Sequence, residues 1–139
     1  MHYTKTADSY LVRLETDQEI VAAITRFADD RRIDSGVVSG LGSMHHAVLG
    51  CYDRAANEYE RRTIEEDCEI VSLVGNISVK EGKPFAHVHV TLGTRNFQAL
   101  AGHLFEGRVA ATCELVVRAL PGMVLRKQDA ASGLWLWDV

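Results

Sequence analysis

The chain has 139 residues, 47% of them hydrophobic and 24% charged, the composition of one globular domain with a sizeable core. Its formal charge is −4 and its basic residues are scattered, with only the doublets Arg31–Arg32 and Arg61–Arg62, so the basic stripe of a duplex-binding surface is absent. No apolar run approaches the ~18 residues of a membrane-spanning helix, MHYTKTADSY lacks the apolar core of a signal peptide, and a cytoplasmic location is expected.

Residues 9–15 (SYLVRLE) alternate Tyr10, Val12 and Leu14 against Leu11 and Arg13 and read as a first strand. Thr16 and Glu19 form a T-x-x-E capping box. Behind it, Ile20, Val21, Ile24, Phe27 and Ala28 make one apolar stripe of a helix over residues 17–31. GVVSGLGS follows, with Gly36, Gly40 and Gly42. Without a Lys-Ser/Thr pair at the required spacing it is not a phosphate-cradling loop, and a bulged strand in close backbone contact is expected. HAVLGCYD (46–53) is a further strand, RAANE (54–58) a loop or hairpin turn, and 58–66 an exposed or edge strand.

CEIVSLVGNISVKEG (68–82) is a mostly apolar strand with a bulge expected at Gly75-Asn76. It turns through 80–84 into HVHVTLG (87–93), its antiparallel partner. In GTRNFQALAGHL (93–104), Phe97, Leu100, Ala101 and Leu104 recur at helical spacing, while Gly102 and Gly107 argue for a short helix ending in a turn. RVAATCELVVRAL (108–120) is a long strand ended by Pro121-Gly122. In the tail LWLWDV, Trp135 and Trp137 share one strand face and either close the core or cover a neighbouring subunit. About seven or eight strands against one clear helix give an α+β fold over residues 1–139, a mostly antiparallel β-sheet packed with one main helix. Cys51, Cys68 and Cys113 are odd in number and form no C-x-x-C pair, as expected of reduced packing thiols.

His87 and His89 carry the chemistry. On a strand they leave the same face about 6–7 Å apart, and His103 follows a segment long enough to fold back. Three neutral imidazoles with an open position are the usual set of a reactive zinc site. The same spacing also suits hydrogen-bonded imidazoles on a half-buried face, and the residues alone leave both open. Zinc is the first choice of metal, with nickel, iron and copper also accepted by such a set. Glu106 and Glu114 are the candidate catalytic carboxylates, to orient a ligand histidine or act as general base on metal-bound water. Arg95 or Arg108 would bind an anionic substrate, and one of His45 and His46 would approach the site.

GVVSGLGSMHHAVLGCYD, EIVSLVGNIS, HVHVTLG and AGHLFEGRVAATCELVV, in that order, resemble the PPC domain, the plants and prokaryotes conserved domain. The resemblance spans residues 8–127, and its most specific parts are the H-x-H strand and the G-H-L-x-E-G turn. It implies a homotrimer and, in some prokaryotic members, a metal held by histidines, here His87, His89 and His103. The fold is similar to that of acetolactate decarboxylase, whose zinc is also held by an H-x-H pair and a later histidine. Plant members carry AT-hooks with an Arg-Gly-Arg core. That core is absent here, so the chain resembles the stand-alone type and DNA association is a family-level expectation only. Three readings follow. One is a homotrimeric metal-binding domain with a regulatory or small-ligand-binding role. The others are a metal-dependent lyase or hydrolase acting on a small anionic substrate, and a DNA-associated protein.

Overall fold

The computed structural model describes residues 1–139 and is built around two long strands, β3 (Gly36–Asp53) and β7 (Ala99–Ala119). Around them lie β1 (His2–Lys5), β2 (Ser9–Glu15), β4 (Glu58–Ile64), β5 (Cys68–Lys80), β6 (Lys83–Gly93) and one helix, α1 (Ile20–Arg31). A short hairpin, β8 (Arg126–Gln128) and β9 (Trp135–Trp137), follows. All pairings in the main sheet are antiparallel, in the order β1-β2-β7-β6-β5-β3-β4. Because β3 also pairs with β7, strands β3, β5, β6 and β7 close into a ring. A closed ring leaves fewer unpaired edges, and its interior takes the alternate, apolar residues of each strand. The α+β arrangement expected from the sequence is therefore present, with the sheet more continuous than the glycines and turn residues suggested.

The length of β3 and β7 explains that continuity. Residues 36–43 and 46–53, read as two strands, are one, because β7 runs beside both. The backbones approach too closely for side chains at two positions. A Cβ at Gly40 would lie 2.5 Å from the Glu114 carbonyl oxygen, and one at Gly42 (φ +152°) would overlap that of Thr112. Register shifts between Gly42 and Met44, Met44 and His46, and Val48 and Leu49 bend the pair without ending it. The bulge expected at Gly75-Asn76 lies instead between Ile70 and Ser72, and Gly75 serves close packing against the His87 carbonyl.

The helix α1 buries Ile20, Ala23, Ile24, Phe27 and Ala28 against β6 and β7. Each large apolar side chain so buried contributes about 1.5–3 kcal/mol. Its cap differs from the expected T-x-x-E box. Asp17 takes a left-handed φ of +65°, which separates Thr16 from the helix, and the Glu19 carboxylate accepts the Val21 and Ala22 N–H groups instead.

Residues 93–104 are not helical. A tight turn places Phe97 at φ +60° and 97% exposed, and β7 begins at Ala99. Leu100 and Leu104, four apart, satisfy period two as well as period 3.6, and strand pairing to both β6 and β3 wins. The G-H-L-x-E-G segment is consequently strand rather than turn. Cys68 and Cys113 pack in the core, Cys51 is exposed, and all three are free thiols. No helix is long and apolar enough to cross a membrane.

Candidate metal centre

On β6 the core-facing residues Ala86, Val88, Val90 and Leu92 alternate with Phe85, His87, His89 and Thr91, so both histidines leave the barrel on its outer face. The β6–β7 ladder sets His103 directly opposite His89. Ring centroids are 5.0 Å apart for His87–His89, 4.9 Å for His87–His103 and 5.4 Å for His89–His103. One nitrogen from each ring lies within 4.8 Å of the others. The Nε2 atoms of His87 and His89 are 3.2 Å apart. Two nitrogens of a tetrahedral zinc site, each about 2.0–2.1 Å from the ion, are about 3.3 Å apart, so this pair already has ligand spacing.

The donor set fits a divalent ion chemically as well. Burial first, then the Arg126 and His89 charges, lowers the His87 pKa to about 4. Burial first, then His87 and His89 and the more remote Arg61 and Arg126, lowers His103 to about 4. Both rings are thus neutral at pH 7, the form that binds metal. The buried Nδ1 of His103 has no hydrogen-bond partner, so the protein alone leaves this ring under-satisfied. Tyr59 and Phe105 pack against it at 5.2 and 4.6 Å.

The other residues singled out from sequence lie elsewhere. Glu106 approaches His46 at 3.7 Å and Arg108 at 3.5 Å. A turn after His103 would have folded this carboxylate back, but three residues of extended strand carry it about 10 Å along β7. Glu114 is eleven residues from His103, paired across the sheet with Arg13 and Leu41. Neither carboxylate is brought to the histidines. Arg95 pairs with Asp67, and Arg108 binds the Asp17 carbonyl. His45 bonds Asp17 and His46 bonds Glu65.

The cation that does reach the site is Arg126, from β8. It donates from Nε to Ser78 Oγ at 2.7 Å, from Nη1 to the Trp135 carbonyl at 2.6 Å and from Nη2 to Asn76 Oδ1 at 2.8 Å. Nη2 also lies 3.5 Å from His87 Nδ1. In the sequence Arg126 stands in MVLRKQD, a segment without a strong periodicity. The available signal was on β5, where Asn76 and Ser78 face the same side as His87 and Phe85, their register partners. Polar residues on that half-buried face need partners.

A family model for the Plants and Prokaryotes Conserved (PCC) domain matches residues 1–121. No curated protein matches the chain. Among solved structures, a candidate DNA-binding protein from Bacteroides thetaiotaomicron is 31% identical with TM-score 0.95, over 99% of this chain and 96% of that one. A metal-containing protein from Archaeoglobus fulgidus is 35% identical with TM-score 0.89, over 99% of this chain and 98% of that one. Acetolactate decarboxylase from Bacillus subtilis strain 168 shares the fold, with TM-score 0.58 at 11% identity over 93% of this chain and 60% of that one.

Proposed function

This chain belongs to the Plants and Prokaryotes Conserved (PCC) domain family, and on that basis we propose that it is a homotrimeric protein holding a divalent metal through His87, His89 and His103, with a regulatory or small-ligand-binding role. The observation that carries the reading is the convergence of three imidazoles, two of them held neutral by burial. Zinc suits this set best, since the ligands are imidazoles and no thiolate or carboxylate joins them. The metal-containing protein from Archaeoglobus fulgidus supports metal binding as such. When bound, such an ion supplies Lewis acidity. Around it, His87 and His103 contribute neutral nitrogens, Tyr59 and Phe105 pack beside His103, and Arg126 provides positive charge next to His87. A cytoplasmic location goes with this role.

Elemental analysis of protein purified without a histidine tag tests it. About one ion per chain is expected, and less than about 0.2 with no uptake of added zinc overturns the proposal.

The cationic side chain beside the histidines favours a second reading, a metal-dependent lyase or hydrolase acting on a small anion. Within one chain neither Glu106 nor Glu114 joins the histidine cluster. Turnover by metal-loaded protein that disappears in His89→Ala would establish this reading. Inactivity across a panel of 2-oxo and hydroxy acids would remove it.

A further inference from the structure

A cavity of about 410 Å³ opens beside His87 and His103, walled by Tyr59, Phe85, Arg126 and the Leu134–Leu136 segment. This lies within the usual range of small-molecule sites. The chain has 19 acidic residues against 15 basic ones, yet no aspartate or glutamate lines this cavity, whereas Arg126 and Lys80 both do. Both cations are held against aromatic rings. Arg126 lies 5.0 Å from the Phe85 centroid, and Lys80 lies 4.6 Å from that of Trp135.

Arg126 is the unusual group. Its three short hydrogen bonds all go to neutral oxygens, and it has no carboxylate partner. A guanidinium carries five N–H donors, which leaves one on Nη1 unspent and one on Nη2 with only the 3.5 Å contact to His87. A part-buried guanidinium without a counter-ion is costly unless an anion arrives. Two remaining donors can pair with two oxygens of a carboxylate or of a phosphate, and the lining of the cavity decides between them. Beyond them the wall is apolar: Phe85, Phe105, Leu134 and Leu136.

We propose that this cavity binds a small carboxylate with an apolar body, the carboxylate on Arg126 and the body against Phe85, Leu134 and Leu136. The proposal rests on the small-ligand role given above and names the chemical class of that ligand. The wall is supplied by β8, β9 and their connection, which the Val79–Val124 backbone hydrogen bond and the Val79–Leu125 bridge fasten to β5. The wall is therefore fixed by backbone pairing to β5 and not by the histidines.

The test is calorimetric titration of the full chain at pH 7.5, first metal-free and then zinc-loaded, with phenylacetate, its neutral analogue phenylacetamide, and acetate. In the metal-free protein phenylacetate is expected to bind about tenfold or more tighter than phenylacetamide, because only the acid pairs with Arg126. Acetate, lacking the apolar body, is expected to bind more weakly than phenylacetate by a similar factor. Arg126→Gln should abolish the preference for the acid, and Lys80→Gln should reduce it. Equal affinity for acid and amide in the metal-free wild type, or no binding of either, overturns the proposal without recourse to any variant. Zinc content measured on the same samples keeps the two readings apart. Full zinc occupancy without phenylacetate binding removes only the ligand class. Phenylacetate binding without zinc uptake removes only the metal.

Discussion

His87 and His103 hold their neutral form at a cost that appears in acid. Their folded pKa values are about 4, against the ordinary imidazole value near 6.5. Between those values the unfolded chain binds protons that the folded chain refuses, so stability rises with pH there. The contribution is complete above pH 6.5 and is lost as pH falls toward 4. Metal-free protein should therefore unfold at progressively lower urea concentration as the pH is taken from 7 to 4.5. A His87→Gln, His103→Gln double variant should lose most of that dependence, and an unchanged slope in it would refute the assignment. In the folded chain protons compete with zinc for these two nitrogens only as the pH approaches 4, so zinc affinity should fall most steeply there. Removing one imidazole with His89→Ala should weaken zinc binding by orders of magnitude while leaving thermal unfolding of the metal-free protein little changed, since His89 is exposed and its hydrogen-bond and aromatic partners are the other two histidines. Equal zinc affinity in variant and wild type would remove His89 from the ligand set.

At the level of elements, one side chain joins the helix to the long strand. Glu19 caps α1 through Val21 and Ala22 and also accepts the Gly107 N–H of β7 at 3.0 Å. Loss of a helix cap costs about 0.5–2 kcal/mol, and the orphaned Gly107 N–H adds to it. Glu19→Ala is expected to destabilise by about 2 kcal/mol in chemical denaturation, whereas Thr16→Ala should change little, and the reverse order would restore the Thr16 cap. That cap shows why sequence reached some features and missed others. The apolar stripe of α1 and the alternation of His87 and His89 are local patterns, so they were readable. The joining of 36–53 into one strand and the extension of 99–119 depend on β3 and β7 pairing with each other across 53 to 83 residues, which no local window contains. Leu100 and Leu104 fit two periodicities, and only the strand partners decide between them. His103 was found because imidazole is rare and its chemistry specific. Arg126 was missed because one arginine in a polar connector has no pattern until Asn76, Ser78 and Trp135 surround it.

The whole molecule leaves one of its faces unfinished. Cross-strand partners Leu11, Val116, Ser39, Val74 and His89 form a single row over β2, β7, β3, β5 and β6, and His103 ends it. Leu11 is 51% exposed, Val74 55% and Val116 42%, with Leu41 and Val71 exposed beside them. An exposed strip of this kind, apolar except where Ser39 interrupts it, suits a surface that another chain covers, and a second copy is the covering the proposed trimer supplies. Its formal charge of −4 per chain, repeated in each copy, opposes duplex DNA, so no mobility shift of AT-rich duplex is expected at moderate salt. A clear shift would bring DNA association back. Light scattering on the wild type should give three times the 15.4 kDa chain mass, and a mass near one or two chains would end the trimer proposal. Val116→Asp, mid-row and outside the core, should reduce the mass to that of a single chain while preserving the fold, because it places a charge where apolar surface has to be buried. Because the row runs into His89 and His103, the same substitution should also open the histidines to solvent and speed zinc release to a chelator. A dissociated variant with wild-type release kinetics would separate the assembly from the metal site.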